Sequence, residues 1–363
     1  MRKLFLAGAA LALCACAAAP AATPAAPPTS MPTPTPPAPT RVPTATRPAA
    51  RDVFETNKRL GRGMNIGNAL EGPREGAWGV MIQDYYFPLI RKAGFDSVRL
   101  PIKWSAHAEV SAPYAIDPEF MARIDAVVDQ ALKAGLAVVI NIHHFEEMDK
   151  APLENRARLI GLWRQIATYF KARPEDVVFE ILNEPNTAQT APLWNETLRL
   201  ALTEIRASNP TRAVVVGGVN WNNISALATL DLPADDRYLI GTYHYYNPFH
   251  FTHQGAEWVE GASDWTDTAW EGTPADLAAV RADFDLATAW GSQNKRPVYM
   301  GEFGAYNKAE MDARARWTAA VAREAEQRGF SWAYWEFASG FGAWSPGYGE
   351  WREPLLKALI PSK

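Results

Sequence analysis

From Asp52 onward, short apolar runs rich in β-branched residues alternate with longer amphipathic runs, and this alternation constrains the fold more than any other feature. The strand candidates are Met64–Asn68, Ser97–Leu100, Ala137–Ile142, Val177–Leu182, Ala213–Gly217, Leu239–Tyr243, Val298–Met300 and Trp332–Trp335. Helix candidates fall between them: Ile82–Ala93, Pro118–Ala134, Leu153–Lys171, Pro192–Ser208, Pro274–Trp290 and Ala309–Arg328. A shorter one is expected around Asn222–Leu230 and a last one over Glu353–Leu359. Asp117 is an N-cap residue with Pro118 at the first helical position. Gly94, Gly135 and Gly329 each follow a helix candidate, which is the usual C-terminal signal. Eight strands alternating with helices over roughly 310 residues predict an α/β fold, a single (β/α)8 TIM barrel over residues 51–363. A doubly wound sheet is the rival, but it normally carries a glycine-rich phosphate loop after its first strand, and Met64-Asn65-Ile66-Gly67-Asn68 has none.

The chain ahead of the barrel has a different character. Arg2 and Lys3 precede an apolar stretch from Leu4 to Ala15, the pattern of an export signal over residues 1–16. The stretch is too short to span a bilayer, which takes about 20 apolar residues. Leu13-Cys14-Ala15-Cys16 resembles a bacterial lipobox with Cys16 as the lipidated residue, and ordinary cleavage near residues 17–22 is the alternative. The expected location is therefore outside the cytoplasm: a surface or outer-membrane lipoprotein, or a secreted or periplasmic protein. Residues 17–50 are nearly all Ala, Pro and Thr, with 11 of the 28 prolines between Pro20 and Pro48. Such a segment cannot pack a core and reads as an extended linker.

Both cysteines lie in the signal, so no disulfide, thiolate nucleophile or cysteine metal site is available beyond residue 16. Losing Arg2 and Lys3 with the signal takes the formal charge from −4 to −6. That balance argues against nucleic acid as a partner and suits a neutral polymer. Membrane contact is expected only through the lipid anchor, and the chain is expected to be a monomer.

In a barrel of this kind the chemistry sits at the C-terminal ends of the strands. Here those ends carry polar and aromatic residues that a core would reject: Asn68, Arg99, His143-His144, Asn183-Glu184, Asn220-Trp221, His244-Tyr245-Tyr246, Glu302 and Trp335. Strands four and seven face each other across the mouth, so Glu184 and Glu302 can straddle one glycosidic bond. Retaining hydrolysis needs the two carboxyls about 5–5.5 Å apart, and inversion needs more room for a water. One must hold a proton while the other is ionised. Arg99 can keep one ionised and Tyr246 can donate to it. Asn183, His143 and His244 can bind sugar hydroxyls, and Trp335 offers a flat face for a pyranose ring. His143-His144 could instead be metal ligands, but no His/Glu cluster at helical spacing supports that, and neither a metal nor an organic cofactor is expected.

Phe179-Glu180-Ile181-Leu182-Asn183-Glu184-Pro185 resembles the acid/base segment of glycoside hydrolase family 5, the cellulase family of clan A. Val298-Tyr299-Met300-Gly301-Glu302-Phe303-Gly304 resembles its nucleophile segment, and Met64–Asn68 is similar to its opening strand. The family's set of eight polar and aromatic residues maps onto Arg99, His143, Asn183, Glu184, His244, Tyr246, Glu302 and Trp335. By that resemblance Glu184 is the acid/base, Glu302 the nucleophile and the others active-site support; Asn68, His144 and Trp221, at the ends of their strands, are further candidates for substrate contact. The implied activity is a retaining endo-β-1,4-glucanase acting on a β-linked polysaccharide. The alternatives are a β-mannanase or xyloglucanase of the same family, or an idle carbohydrate-binding barrel, which would usually have lost a carboxylate. Trp78, Trp221, Trp258, Trp265, Trp270 and Trp344 fall in expected loops, and several should stack on sugars. The long aromatic segment from Asn247 to Trp270 should shape the cleft.

Overall fold

The structure, a computed structural model, describes residues 50–361. The expected export signal, Cys16 and the linker up to residue 49 lie outside them. Eight parallel strands close into a barrel in sequential order: β1 (Arg62–Asn65), β2 (Ser97–Leu100), β3 (Ala137–Asn141), β4 (Val177–Glu180), β5 (Val214–Gly217), β6 (Leu239–Tyr245), β7 (Val298–Phe303) and β8 (Ser331–Tyr334). β1 closes on β8 through Arg62↔Trp332 and Met64↔Tyr334. The (β/α)8 architecture expected from the alternation is the one observed. Helices Tyr86–Ala93, Pro118–Lys133, Pro152–Phe170, Ala191–Ser208, Pro274–Asn294, Met311–Gln327 and Glu353–Leu359 flank it. Asp117 accepts from the Glu119 amide as expected of an N-cap, and Gly94, Gly135 and Gly329 all have positive φ.

Period-two alternation along the strands makes two cores. Inward residues Ala137, Val139, Val178, Val215, Ile240, Tyr299 and Ala333 fill the barrel. Outward residues such as Val98, Ile140, Phe179, Val214 and Met300 pack against the helices. The inner core is completed by Val53 and Leu60 of the helix Val53–Leu60, an element that the sequence pattern did not announce. That helix closes the N-terminal end of the barrel. Asp52 caps it by accepting from the Phe54 amide. Its Asn57 donates to the Val298 carbonyl (3.1 Å) and accepts from the Ser331 hydroxyl (2.6 Å).

Two departures from the expected pattern bear on the site. After β5 the expected helix Asn222–Leu230 is a turn, Val219–Asn222, followed by a 3-10 segment, Ile224–Thr229. Asn220, Trp221 and Asn222 are all left-handed, with φ of 57°, 57° and 53°. Between β6 and β7 the register shifts: Tyr243 pairs with Met300, but His244 pairs with Glu302, so Gly301 is an extra residue in β7. Simple alternation from Met300, which faces the helices, would send Glu302 the same way. The bulge at Gly301 turns Glu302 to the inside instead. The Gly301 carbonyl, displaced from the ladder, accepts from the Asn65 amide at 3.0 Å.

Candidate active site

The C-terminal ends of the strands surround a cavity of about 530 Å³ lined by Asn68, Trp78, His143, His144, Asn183, Glu184, Tyr246, His253, Trp258, Glu302, Tyr306, Trp335, Glu336, Ser339, Gly340 and Phe341. A larger cavity of about 910 Å³ lies at the opposite end of the barrel, beside Lys58, Arg62, Asp96 and Glu326. We place the chemistry in the smaller one, because it holds the convergent polar residues at the catalytic end of the strands.

Arg99 is the hub beneath the cavity. It is fully buried on β2, where an unpaired charge would be costly. Its guanidinium makes a two-point pair with Glu180 (2.6 and 2.7 Å) and donates to Glu302 Oε1 (2.6 Å), to Asn65 Oδ1 (2.9 Å) and to Asn183 Oδ1 (2.7 Å). Tyr246 donates from its hydroxyl to Glu302 Oε2 (2.9 Å). Glu302 thus receives a donor on each oxygen.

Glu184 stands differently. It follows β4 in a left-handed conformation (φ 48°), a backbone state that costs a non-glycine residue about 1–3 kcal/mol and recurs at functional sites. One oxygen lies 2.6 Å from His244 Nδ1. One oxygen of each carboxylate and one nitrogen of His244 lie within 4.8 Å of one another. Burial pushes the Glu184 carboxyl up to about 7; Arg99 opposes the shift and Glu180 adds to it. Burial raises Glu302 as well, but there the charges of His244 and Arg99 and the hydrogen bond from Arg99 oppose it, with Glu184 adding to the rise. His244 is itself pushed down to about 4 by burial, so the ring is neutral near pH 7.

Around this pair, His143 is buried, accepts or donates at Nδ1 with Asn141 (3.0 Å) and stacks parallel to Trp335 at 5.9 Å. His144, left-handed at φ 49°, meets Trp78 edge to face at 5.5 Å. Asn68, also left-handed, donates to Ser339 Oγ at 2.5 Å. Ten of the residues singled out from the sequence therefore converge: Asn68, Arg99, His143, His144, Asn183, Glu184, His244, Tyr246, Glu302 and Trp335. Trp221 does not line the cavity; it is 56% exposed on the left-handed turn, its amide donating to the Pro185 carbonyl. Of the other loop tryptophans, Trp78 and Trp258 line the cavity, Trp270 and Trp344 are buried, and Trp265 stacks on His250 at 4.1 Å. The long segment after β6 contributes His253 and Trp258 to the wall.

The sequence reading passed over Glu180, Asn65 and Asn222. Glu180 had a visible signal, an acid inside the apolar run Val177–Leu182 and two residues from Val178 on the inner face. Asn65 and Asn222 had none beyond being polar near a strand end.

Residues 58–340 match the family profile of Cellulase (glycosyl hydrolase family 5). Endoglucanase H of Acetivibrio thermocellus is 38% identical over 289 residues, 80% of this chain and 31% of that protein. Endoglucanase B of Clostridium cellulovorans is 30% identical over 300 residues, 77% of this chain and 67% of that protein. The chain therefore spans under a third of the first of these relatives. Among solved structures, Thermotoga maritima Cel5A in complex with cellobiose superposes with a TM-score of 0.84 at 51% identity, covering 85% of this chain and all of that one. The same enzyme in complex with mannotriose gives 0.84 at 50% identity over the same shares. With the profile spanning most of the barrel and the paired carboxylates at its mouth, the chain belongs to the cellulase family, glycosyl hydrolase family 5.

Proposed function

We propose that the chain is a retaining endo-β-1,4-glucanase with Glu302 as nucleophile and Glu184 as acid/base. The observation that carries this reading is the short separation of the two carboxylates combined with their unequal surroundings. Oxygens within 4.8 Å leave no room for the water that inversion needs between carboxyls about 6.5–9.5 Å apart. Glu302, held by Arg99 and Tyr246, keeps its charge and attacks the anomeric carbon. Glu184, raised to about 7, carries the proton that the leaving oxygen takes. In the second half-reaction Glu184 removes a proton from water, which then attacks the glycosyl-Glu302 ester. Trp335, Trp78 and Trp258 supply apolar faces for pyranose rings, and His143, His144, Asn68 and Asn183 supply hydroxyl contacts.

Following carboxymethylcellulose and cello-oligosaccharide hydrolysis by NMR tests this reading. The first-formed product should keep the β configuration; an α product would end it. A mannan-directed specificity is the second reading, favoured by the mannotriose complex of the Thermotoga maritima relative. A galactomannan and xyloglucan panel beside carboxymethylcellulose separates the two. The N-terminal pattern supports export and lipidation at Cys16. A Cys16→Ala chain that still incorporates labelled fatty acid would refute it. Among the described residues no helix is long and apolar enough to cross a membrane.

A further inference from the structure

Asn222 is completely buried, and among the described residues its Oδ1 has no hydrogen-bond partner. Its Nδ2 lies 3.4 Å from His244 Nε2, on the far side of the ring from Glu184. The left-handed turn after β5 holds it there, and Asn223 pairs with His244 in an isolated parallel bridge that keeps turn and ring in register. Gly217 makes the space: a Cβ there would stand 2.2 Å from the Asn222 Oδ1. The result is a chain Asn222–His244–Glu184, with the second contact 2.6 Å long.

A neutral imidazole has one N–H and one lone pair, and an amide presents either an N–H or an oxygen by turning over. Two arrangements of this chain are self-consistent. With the amide N–H on Nε2, the ring proton sits on Nδ1 and is donated to a charged Glu184. With the amide oxygen facing Nε2, the ring proton sits there, and Nδ1 accepts from the hydroxyl of a protonated Glu184. We propose that Asn222 is a positioning residue for the acid/base step: with its Nδ2 toward His244 Nε2, it holds the ring proton on Nδ1, from which it is donated to Glu184 Oε1, leaving Oε2 to carry the transferred proton. This rests on the reading of Glu184 given above. No proton is gained or lost in the chain beyond the one Glu184 passes to the leaving oxygen and recovers from water. The other charged or titratable groups that face the chain are Arg99 on β2, Glu180 on β4, Glu302 on β7, His143 beyond β3 and Tyr246 beyond β6.

Two variants test this. Asn222→Gly keeps the left-handed backbone and deletes the amide; Asn222→Asp tolerates the same backbone but can only accept. For Asn222→Gly, kcat/KM on cellotetraose should fall about tenfold, the scale of one mis-set hydrogen bond to an ionisable group. On dinitrophenyl cellobioside, whose leaving group needs no acid, kcat/KM should stay within about twofold of wild type. For Asn222→Asp, the carboxylate stabilises an imidazolium at His244, so the alkaline limb of kcat/KM should move to lower pH by about half a unit to one unit, and the acid limb, set by Glu302 at 3.6 Å from the same ring, should move in the same direction. Equal losses on both substrates, or an unmoved alkaline limb in Asn222→Asp, would overturn the proposal. Wild type run alongside, with its product anomer recorded, tells failure of this inference from failure of the retaining mechanism itself.

Discussion

Arg99 offsets its buried charge with two carboxylates, and they do different work. Glu180 takes two of its donors, while Glu302 takes one and remains open to the cavity. Glu180→Gln should therefore destabilise the fold by about 3–5 kcal/mol, read by urea denaturation, because it leaves a buried guanidinium short of a counter-charge. Glu302→Gln should keep the fold and sugar binding but lower kcat by about three orders of magnitude or more. Activity that survives that change would show the nucleophile assignment to be wrong. The pH profile follows from the same surroundings. Glu184 must be protonated to act as an acid, so kcat/KM should fall as pH rises through about 7. Glu302 must be ionised, and its raised pKa puts the acid limb above the ordinary carboxylate range. Most of these residues were legible because each is a polar group closing an apolar strand, a placement that physics disfavours unless a site needs it. Glu180 showed only as an acid inside an apolar run and Asn222 not at all, because their roles are defined by partners distant in sequence, and no spacing rule brings Arg99 or His244 to them.

The strands were legible because apolar runs of three to six residues with β-branched content have few other fates. The bulge in β7 was not, since an extra glycine in a strand leaves no periodicity to break. The helix Val53–Leu60 escaped notice because only two of its residues, Val53 and Leu60, face the inner core. The left-handed turn escaped because three consecutive non-glycine residues in that conformation run against propensity, and the packing beneath His244 overrides it. Gly301→Ala tests the bulge: its Cβ would come within 2.9 Å of Thr242 Oγ1 and 3.0 Å of His244 Nε2. We expect kcat to drop by up to about 10²-fold, the scale of an ångström's misplacement at a reacting group, with little change in KM. The loops after β1 and β8 carry a second pH dependence. Glu71 accepts from the amides of Asn68 and Ala69, and Glu336 accepts from those of Ala338, Ser339 and Phe341. Burial raises them to about 8 and about 7. Folded pKa values above the unfolded ones mean that the native state holds protons the unfolded chain releases. Their stabilising contribution is complete below about pH 4.5 and is lost as pH rises to about 8. The melting temperature should decline across that window, and Glu71→Gln should flatten the decline; a slope unchanged by the substitution would count against it.

At the scale of the molecule, the described chain enters at the end of the barrel away from the cleft. The Arg51 amide donates to the Glu175 carboxylate (3.2 Å), and its guanidinium pairs with Asp176 (2.7 Å), both just ahead of β4. All the site residues lie between Asn65 and Phe341, so a protein beginning at Ala50 should keep kcat/KM on soluble carboxymethylcellulose within about twofold of the full chain. A larger loss would mean that residues 1–49 take part in turnover. The bulge has a consequence at this scale too. Inside and outside in a barrel wall are a matter of parity, and the bulge leaves Gly301 out of the ladder, so that Met300 and Glu302, two residues apart, face opposite sides of the wall. Without the bulge, the same six residues in unbroken alternation would deliver the Glu302 carboxylate into the greasy layer beneath the helices. The proposed hydrolysis therefore depends on one residue of a strand standing outside the count.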